Sequence, residues 1–538
     1  MEATPMRKDS IDAVSQINAA DLILGGALAA GRQGDAALLY RGSAVSFGEL
    51  ESLANRVSNA LRPYLQTGDR VLMLLKDSPL FVASFIGIMR LGCVAVPLNT
   101  RLAARDVAFV IEDSSAAAIV LDEEFLPVFR AAVVGRSMVP LLVAVYGEAR
   151  SGAVSYVDLV SSASESARSR PMSADDMAFW LYSSGTTGAP KAAIHCHGDV
   201  LVGDGYMRAL GLGPGERVFA SSKLFFAFAL GHTVLGGLRA GATVVLYDAW
   251  PDAGAIADVV EKYRPTVMLS VPTLFRNLLR EGGCDRPGFR SVRTYLSAGE
   301  ALPVNLYERW LDATGVPIIE GIGATETIFM FISGTPLEHQ PGATGKPVSY
   351  AEVKLLDSLN QPVTAANAAG TAWVRMPSLC RGYWRQPERT AAAFRDGWFR
   401  TGDTFSVDTD GWWHYHGRSD DLLKISGQWV SPGEVEECAV QVPGVLEAAA
   451  VGVENGDGLI RIALYLVPDG SVAVGETKSE LEAQVRRRLQ STLSIYKCPR
   501  EIRFIDALPR TATGKVQRYV LRQLAEREKT ATTGGVTS

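Results

Sequence analysis

The run Ser183-Ser-Gly-Thr-Thr-Gly-Ala-Pro-Lys191 concentrates the groups that grip a phosphate. Gly185 and Gly188 let backbone amides approach an oxyanion with no Cβ in the way. Ser183, Ser184, Thr186 and Thr187 add hydroxyl donors, and Lys191 adds a positive charge on a flexible stem. The spacing is not the G-x-x-x-x-G-K-[ST] of a P-loop NTPase. Two residues separate these glycines, and Pro190-Lys191-Ala192 closes the run. Taken alone, such a run is equally an ordinary Gly/Ser/Thr-rich loop. A strand should hold it, because Met177-Ala-Phe-Trp-Leu-Tyr182 just before it is apolar and aromatic.

The chain around this loop alternates strand and helix patterns. Residues 70–75, 93–98 and 118–121 are short apolar strand candidates, with a helical pattern over 79–91. Residues 242–246, 267–270 and 294–297 continue the series after the loop. Such alternation predicts parallel sheets covered by helices, with ligands beyond the carboxyl ends of the strands. From about residue 342 the pattern turns to short strands with Gly/Pro turns, which predicts a β-rich subdomain. A compact α+β unit follows Arg418, and residues 1–45 read as an arm leading into the fold. The predicted fold is thus α/β. A large N-terminal domain of stacked, mainly parallel sheets carries a β-rich subdomain and is followed by a small mobile α+β C-terminal lid. The expected domains are 1–419 and 420–538.

Composition narrows the function classes. The chain has 538 residues, too many for one core, with 47% hydrophobic and 21% charged residues, as in globular proteins. A net charge of −5 argues against nucleic acid as a main partner. The densest basic run, residues 486–488, shares a helical pattern with Leu481, Val485 and Leu489 and reads as a solvated face. The six cysteines lack the short spacings of a zinc site or disulfide frame, which fits a reducing compartment. No signal-peptide pattern is read, and the apolar run 224–238 is short of the ~20 residues a membrane span needs. A cytoplasmic protein with no membrane partner is expected.

Four further runs follow the phosphate loop in order: Gly321-Ile-Gly-Ala-Thr-Glu326, Thr401-Gly-Asp403, Gly417-Arg418-Ser-Asp420-Asp-Leu-Leu-Lys424-Ile-Ser-Gly427, and Pro509-Arg-Thr-Ala-Thr-Gly514-Lys515. Each is weak alone. Together they resemble the adenylate-forming superfamily, from about residue 20 to about 525. Lys223-Leu-Phe-Phe-Ala-Phe228 followed by Gly321-Ile-Gly-Ala-Thr-Glu is most similar to benzoate-type aryl-CoA ligases. The resemblance implies ATP, Mg²⁺ and coenzyme A as cofactors. It also implies an aromatic acid that is first joined to AMP with loss of pyrophosphate and then passed to a thiol. The first step brings two anions together, so catalysis is chiefly neutralisation and alignment.

The resemblance assigns roles to particular residues. Lys515 would reach the substrate carboxylate and the α-phosphate. Glu326 would hold Mg²⁺, which needs only one or two protein carboxylates, and Thr325 would donate to phosphate. Ala298, Gly299, Glu300, Gly321, Ile322 and Gly323 would line the nucleotide with the loop 183–191. Asp403 would accept from the ribose hydroxyls, with Arg418 as a further ribose or phosphate contact. Asp420 matches the hinge about which the C-terminal lid turns between half-reactions, and Lys424, Ser426 and Gly427 would then face the pantetheine. Phe226, Ala227 and Phe228, with His232 behind them, would wall the acid, while Gly323, Ile328 and Ile332 close its slot. Ordinary core packing explains any one phenylalanine as well.

An aromatic wall with small residues opposite favours a flat ring over a long acyl chain. No aspartate stands near Phe226-Ala227-Phe228 to hold an α-ammonium, which disfavours amino acids. Phe228 stands where benzoate ligases often carry tyrosine, so the ring substituents stay open; a small ortho group such as the amine of 2-aminobenzoate fits this reading. Loading of a separate carrier protein is the alternative to CoA ligation, a non-catalytic nucleotide-binding relative is the third reading, and a homodimer stays open. Lys515→Ala should abolish adenylate formation while leaving thioester formation from supplied aroyl-AMP largely intact. Equal loss of both half-reactions, followed separately, would contradict the role given to Lys515.

Overall fold

The computed structural model describes residues 16–147, 153–185, 188–419, 423–425, 428–454, 460–469, 478–510 and 516–533. By backbone proximity the chain forms two units, Met1–Val353 with Trp373–Arg400, and Lys354–Ala372 with Thr401–Ser538. The expected domain boundary at residue 420 lies outside the described residues.

The first unit contains two large sheets. One has seven strands in the order Val154–Ser155, Leu142–Tyr146, Ala118–Asp122, Arg70–Leu74, Val94–Pro97, Met177–Gly185 and Gly188–Cys196. All neighbours are parallel except the last pair, a hairpin. Its inner strands are apolar on both faces, and Val94–Pro97 is buried throughout. That is the pattern of a parallel strand covered on both sides. Helix Pro79–Arg90 follows Arg70–Leu74, with Ser78 capping Phe81 and proline opening the first turn. Residues 81–90 are buried all round, and Gly87 sits where a Cβ would lie 2.6 Å from the Ala54 carbonyl oxygen and 2.7 Å from Val57. The absent side chain lets this helix press against helix Phe47–Leu61.

The second sheet has nine strands, with Ile318–Gly323, Thr294–Ser297, Val267–Ser270, Arg217–Ala220, Thr243–Val245 and Ala36–Tyr40 forming a parallel centre. Helices Ala253–Tyr263, Pro272–Arg280 and Val304–Thr314 cover one face around Trp310, Phe275 and Tyr295. Adjacent parallel strands end together, so the turns after Ser270, Ser297 and Gly323 emerge at one end of the sheet. That is where an open α/β sheet binds ligands.

One expectation is corrected. Residues from 17 onward are part of the fold and not an arm. Helix Ala19–Ala29 buries Ala19, Ala20, Ile23 and Leu24, and Ala36–Tyr40 and Ser43–Ser46 are strands of the nine-stranded sheet. The segment is short and alanine-rich, so its amphipathic signal is weak although one face is buried.

The second unit holds a three-stranded sheet, Val445–Glu454, Ile460–Pro468 and Glu501–Phe504, with helices Pro432–Val440, Lys478–Thr492 and Arg518–Thr533. Leu481, Val485 and Leu489 are its buried stripe, and Arg486 pairs with Glu482 on the other face, as the sequence pattern predicted. No helix among the described residues is long and apolar enough to cross a membrane. The apolar run 224–238 instead forms a short α-helical turn, Ala227–Ala229, continued by a π-helix over Leu230–Leu235. Gly87→Ala should overpack the two facing helices and cost about 1–3 kcal/mol. Thermal unfolding checks this, and a variant melting with the parent would refute so close an approach.

Candidate active site

The phosphate loop is the tip of the hairpin Met177–Gly185/Gly188–Cys196, in which Ser183 stands opposite Lys191 and Gly185 opposite Gly188. Strand geometry puts residues 191, 193 and 195 on one face, so the loop lysine and His195 project to the same side. Ser183 Oγ is buried and has no hydrogen-bond partner among the described residues. Thr186 and Thr187 lie outside the described residues.

Lys191 Nζ lies 2.8 Å from Glu326 Oε1 and donates to the Tyr383 hydroxyl at 2.7 Å. Tyr383 in turn donates to the same Glu326 oxygen at 2.7 Å. Glu326 is only 6% exposed. Burial pushes its carboxyl pKa up, but the charge and hydrogen bond of Lys191, the Tyr383 hydroxyl and its own backbone N–H outweigh this, so the pKa falls below 4.5. The carboxylate therefore stays ionised in a buried setting, the state a hard divalent cation requires.

The backbone around Glu326 is pinned on several sides. Cys380 N donates to the Glu326 carbonyl at 2.8 Å, and Ser378 Oγ to that of Thr327 at 2.8 Å. His195 Nε2 donates to the Thr325 carbonyl at 2.8 Å, while its Nδ1 lies 2.9 Å from Asp199 Oδ2 and its ring stacks on Phe179. Beyond Glu326, Phe329 N bonds back to the Thr327 carbonyl at 2.7 Å, closing a three-residue turn about Ile328. Ile328 has φ +57°, a rare conformation for a β-branched residue. Such strain costs on the order of 1–3 kcal/mol and gathers at functional sites.

The expected acid wall adjoins this turn. Phe226, Ala227 and Phe228 are half-buried, whereas Ile328 and Ile332 are buried. Phe225 meets Phe226 edge-on at 4.4 Å between centroids. A Cβ on Gly231 would lie 2.5 Å from the Ile328 carbonyl oxygen, so the wall helix and the Glu326 turn meet backbone to backbone. Gly321 and Ile322 pair with Ser333 and Ile332, and Gly323 with Met330. His232 is buried; its Nδ1 donates to the Phe228 carbonyl at 2.8 Å, and burial pushes its pKa down to about 4. Lys223 anchors the start of the segment. Its Nζ donates to the Tyr247 carbonyl and lies 3.7 Å from Asp77 Oδ2, and Asp77 accepts from Leu224 N. Burial raises Asp77 to about 6 in spite of that cation.

The remaining expected residues fall in several places. Ala298 is buried at the end of strand Thr294–Ser297, Gly299 is exposed with φ +89°, and Glu300 accepts from the Thr273 hydroxyl at 2.8 Å. Thr325 is brought to the Lys191 cluster through its carbonyl. In the second unit Asp403 and Arg418 are cross-strand partners, with Arg418 Nη1 at 3.3 Å from Asp403 Oδ1 and 2.7 Å from the Thr401 carbonyl. Gly402, between Thr401 and Asp403, has φ +74°, and a Cβ there would strike the Arg418 guanidinium at 2.7 Å. Lys424 pairs opposite Trp429 on a short hairpin. Asp420, Ser426, Gly427 and Lys515 lie outside the described residues.

Two residues of the site escaped the sequence reading. Tyr383 lies 57 positions beyond Glu326, and nothing in the local pattern of Arg381-Gly-Tyr-Trp384 marks it. His195 is the second. Its spacing to Lys191 along one strand face was the available signal.

The residues present fit a nucleotide with Mg²⁺. A buried serine hydroxyl lacks a partner among the described residues, two glycines face each other across the loop, and an ionised carboxylate lies buried beside a lysine.

Residues 27–384 match the AMP-binding enzyme family, and residues 434–515 match the AMP-binding enzyme C-terminal domain. The chain is 49% identical over 511 residues to a 3-hydroxybenzoate–CoA ligase of Aromatoleum sp. (strain CIB), covering 94% of this chain and 97% of the relative. It is 47% identical over 517 residues to a 3-hydroxybenzoate–CoA/4-hydroxybenzoate–CoA ligase of Thauera aromatica, covering 95% and 98%. Among solved structures, the anthranilate CoA ligase AuaEII in complex with anthranoyl-AMP superposes with a TM-score of 0.91 at 33% identity, covering 98% of this chain and all of that one (100%).

A depressed carboxyl pKa contributes stability above the ordinary carboxyl range, and that contribution is lost as pH falls through the folded-state value. Lys191→Met leaves burial of Glu326 opposed mainly by Tyr383. The variant should lose about 1–3 kcal/mol at neutral pH, less than a fully buried pair because Lys191 is partly exposed. The gap in melting temperature should narrow as pH falls through the carboxyl range, as Glu326 protonates first in the variant and only lower in the parent. A gap independent of pH would contradict the pairing.

Proposed function

The chain belongs to the AMP-binding enzyme family, and from that premise we propose that it converts a monohydroxybenzoate, 3-hydroxybenzoate foremost, to its coenzyme A thioester. It is an AMP-forming acid–thiol ligase acting on aromatic acids with ATP, Mg²⁺ and coenzyme A. A cytoplasmic setting, where ATP and CoA are supplied, suits the reaction. The observation that carries the reading is the contact of Gly231 with the Ile328 carbonyl. It sets the half-buried segment Phe226–Phe228 against the turn that bears the ionised Glu326, which supports the reading of a seat for an aryl ring next to a seat for phosphate charge.

In this reading a carboxylate oxygen of the acid bonds to the α-phosphorus of ATP, and the bond from that phosphorus to the bridging oxygen breaks, releasing pyrophosphate. The thiol sulfur of CoA then bonds to the acyl carbon, the bond to the AMP oxygen breaks, and the thiol proton leaves to solvent. Mg²⁺ supplies positive charge to the phosphates, with Glu326 as its protein ligand. Lys191 adds a cation beside it, and the Ser183 hydroxyl and the loop amides donate to phosphate oxygens. Tyr383 keeps the Glu326 carboxylate in one orientation. Asp403 and Arg418 serve the ribose. Lys515 serves the adenylation step only, Asp420 is the hinge of the C-terminal lid, and Lys424, Ser426 and Gly427 serve the pantetheine.

The test is a panel of benzoate, its three monohydroxy isomers and 2-aminobenzoate with ATP, Mg²⁺ and CoA, followed for AMP, pyrophosphate and thioester. AMP with a hydroxybenzoyl-CoA product, and a higher kcat/KM for a hydroxy isomer than for benzoate or 2-aminobenzoate, is the expected result. ADP as product, or preference for the unsubstituted acid, would overturn the substrate assignment. Transfer to a carrier-protein thiol and not to CoA would move the enzyme to the adenylating branch.

A further inference from the structure

His232 presents a hydrogen-bond acceptor that no described residue satisfies. Its Nδ1 faces the Phe228 carbonyl at 2.8 Å, and a carbonyl can only accept, so the ring hydrogen sits on Nδ1. Nε2 therefore carries a bare lone pair. It is buried and has no partner among the described residues. Its surroundings are the rings of Phe228 at 5.5 Å, Phe329 at 5.9 Å and Tyr206 at 6.1 Å, each edge-on to the imidazole. The Tyr206 hydroxyl is itself engaged with Ser333 Oγ at 2.6 Å, and Ser333 with the Glu320 carbonyl. A buried acceptor left without a donor costs free energy in the empty protein and regains it only when a donor arrives.

The position of this acceptor specifies what the donor belongs to. His232 stands one helical turn beyond Phe228 on the segment that begins at Phe226, and its neighbour Gly231 packs on Ile328. The rings packed around His232 are aromatic, and its Nε2 is an unpartnered polar atom among the described residues next to Phe228. We propose that His232 Nε2 is the specificity determinant for the ring substituent, accepting a hydrogen bond from a hydroxyl borne by the aryl acid. The proposal rests on the aryl-acid reading above and adds to it a named atom and a polarity rule. Burial holds the imidazole neutral, with a pKa of about 4, so the acceptor persists throughout neutral pH. Substituents that donate are favoured, and substituents of like size that only accept are rejected, since they would set two lone pairs against each other. A site built to bond a hydroxyl discriminates strongly against analogues that lack it.

The experiment begins with the intact enzyme and the 2-, 3- and 4-hydroxybenzoates; the isomer with the highest kcat/KM sets the ring position. At that position the fluoro analogue matches the hydroxyl in size without donating, and the amino analogue donates. The hydroxy and amino acids should exceed the fluoro acid in kcat/KM by about tenfold or more. In His232→Phe the hydroxy-to-fluoro ratio should collapse toward one, and in His232→Gln, whose amide oxygen can accept, part of it should return. A ratio measured within one protein is independent of how much of it is folded. A parent that uses the fluoro acid as well as the hydroxy acid overturns the proposal, whatever the variants do. So does a ratio unchanged in His232→Phe, which would make the histidine a packing residue. If the parent forms no AMP with any benzoate, the aryl-acid reading itself fails, an outcome distinct from either of these.

Discussion

The site is organised around a carboxylate that must stay ionised where water is scarce. Burying Glu326 works against its charge, and only a cation in contact with additional donors reverses that. Lys191 and Tyr383 supply those donors from two separate parts of the chain, a hairpin strand and the segment after Cys380. Each of those parts is pinned in turn. The hairpin is an edge of the seven-stranded sheet, and Cys380 N holds the Glu326 carbonyl. The charge requirement thus explains why the loop lysine, the turn 324–329 and residues 378–383 form one rigid cluster.

The same turn joins the Glu326 cluster to the proposed acid wall. Ile328 is held at φ +57° by the bond closing about it and by Thr327 Oγ1, which accepts from Ala324 N and donates to the Phe329 carbonyl. The strained residue turns its carbonyl toward Gly231, where no side chain fits. The π-helix that carries Gly231 and His232 has its own local reason. Thr233 Oγ1 bonds back to the Ala229 carbonyl and His232 Nδ1 to that of Phe228, so both carbonyls are satisfied by side chains as the helix widens. Strain on one side and a widened helix on the other let two backbones touch.

Much of this was legible in the sequence, and for identifiable reasons. Strands over 70–74, 94–97, 118–122, 267–270 and 294–297 are short apolar runs because each is buried on both faces. Their pattern survives without any knowledge of neighbours. Lys191 and Glu326 were legible as parts of ordered runs, and the family match covers them. Tyr383 was not, because its role is a contact across 57 residues, and a tyrosine in a Gly-Tyr-Trp run has no period or spacing to betray it. The N-terminal helix was missed because alanine and glycine in Ala19–Ala29 blur the contrast between its faces, although its buried residues are fully enclosed. The turn at Ile328 was illegible in principle, since a β-branched residue is the last one a propensity argument would place at positive φ.

A common rule separates what could and could not be read. Groups that act through chain-local geometry, such as glycines across a loop or apolar residues in a central strand, leave periodic traces. Groups that act by compensating a charge or a lone pair brought from elsewhere leave none, because only the folded chain creates the deficit they answer. Glu326 and His232 represent the two cases of that deficit. The carboxylate finds its donors within the protein, in Lys191 and Tyr383, and so its function is to be held ready. The imidazole nitrogen finds none among the described residues. A protein that meets the larger cost so completely, with two donors on one carboxylate oxygen and a bond between those donors, has no evident structural reason to leave the smaller one unmet beside the wall where its substrate is proposed to lie. The asymmetry is intelligible if the missing donor arrives with the ligand, and the proposed acid wall is then a place where binding completes the hydrogen bonding that folding began.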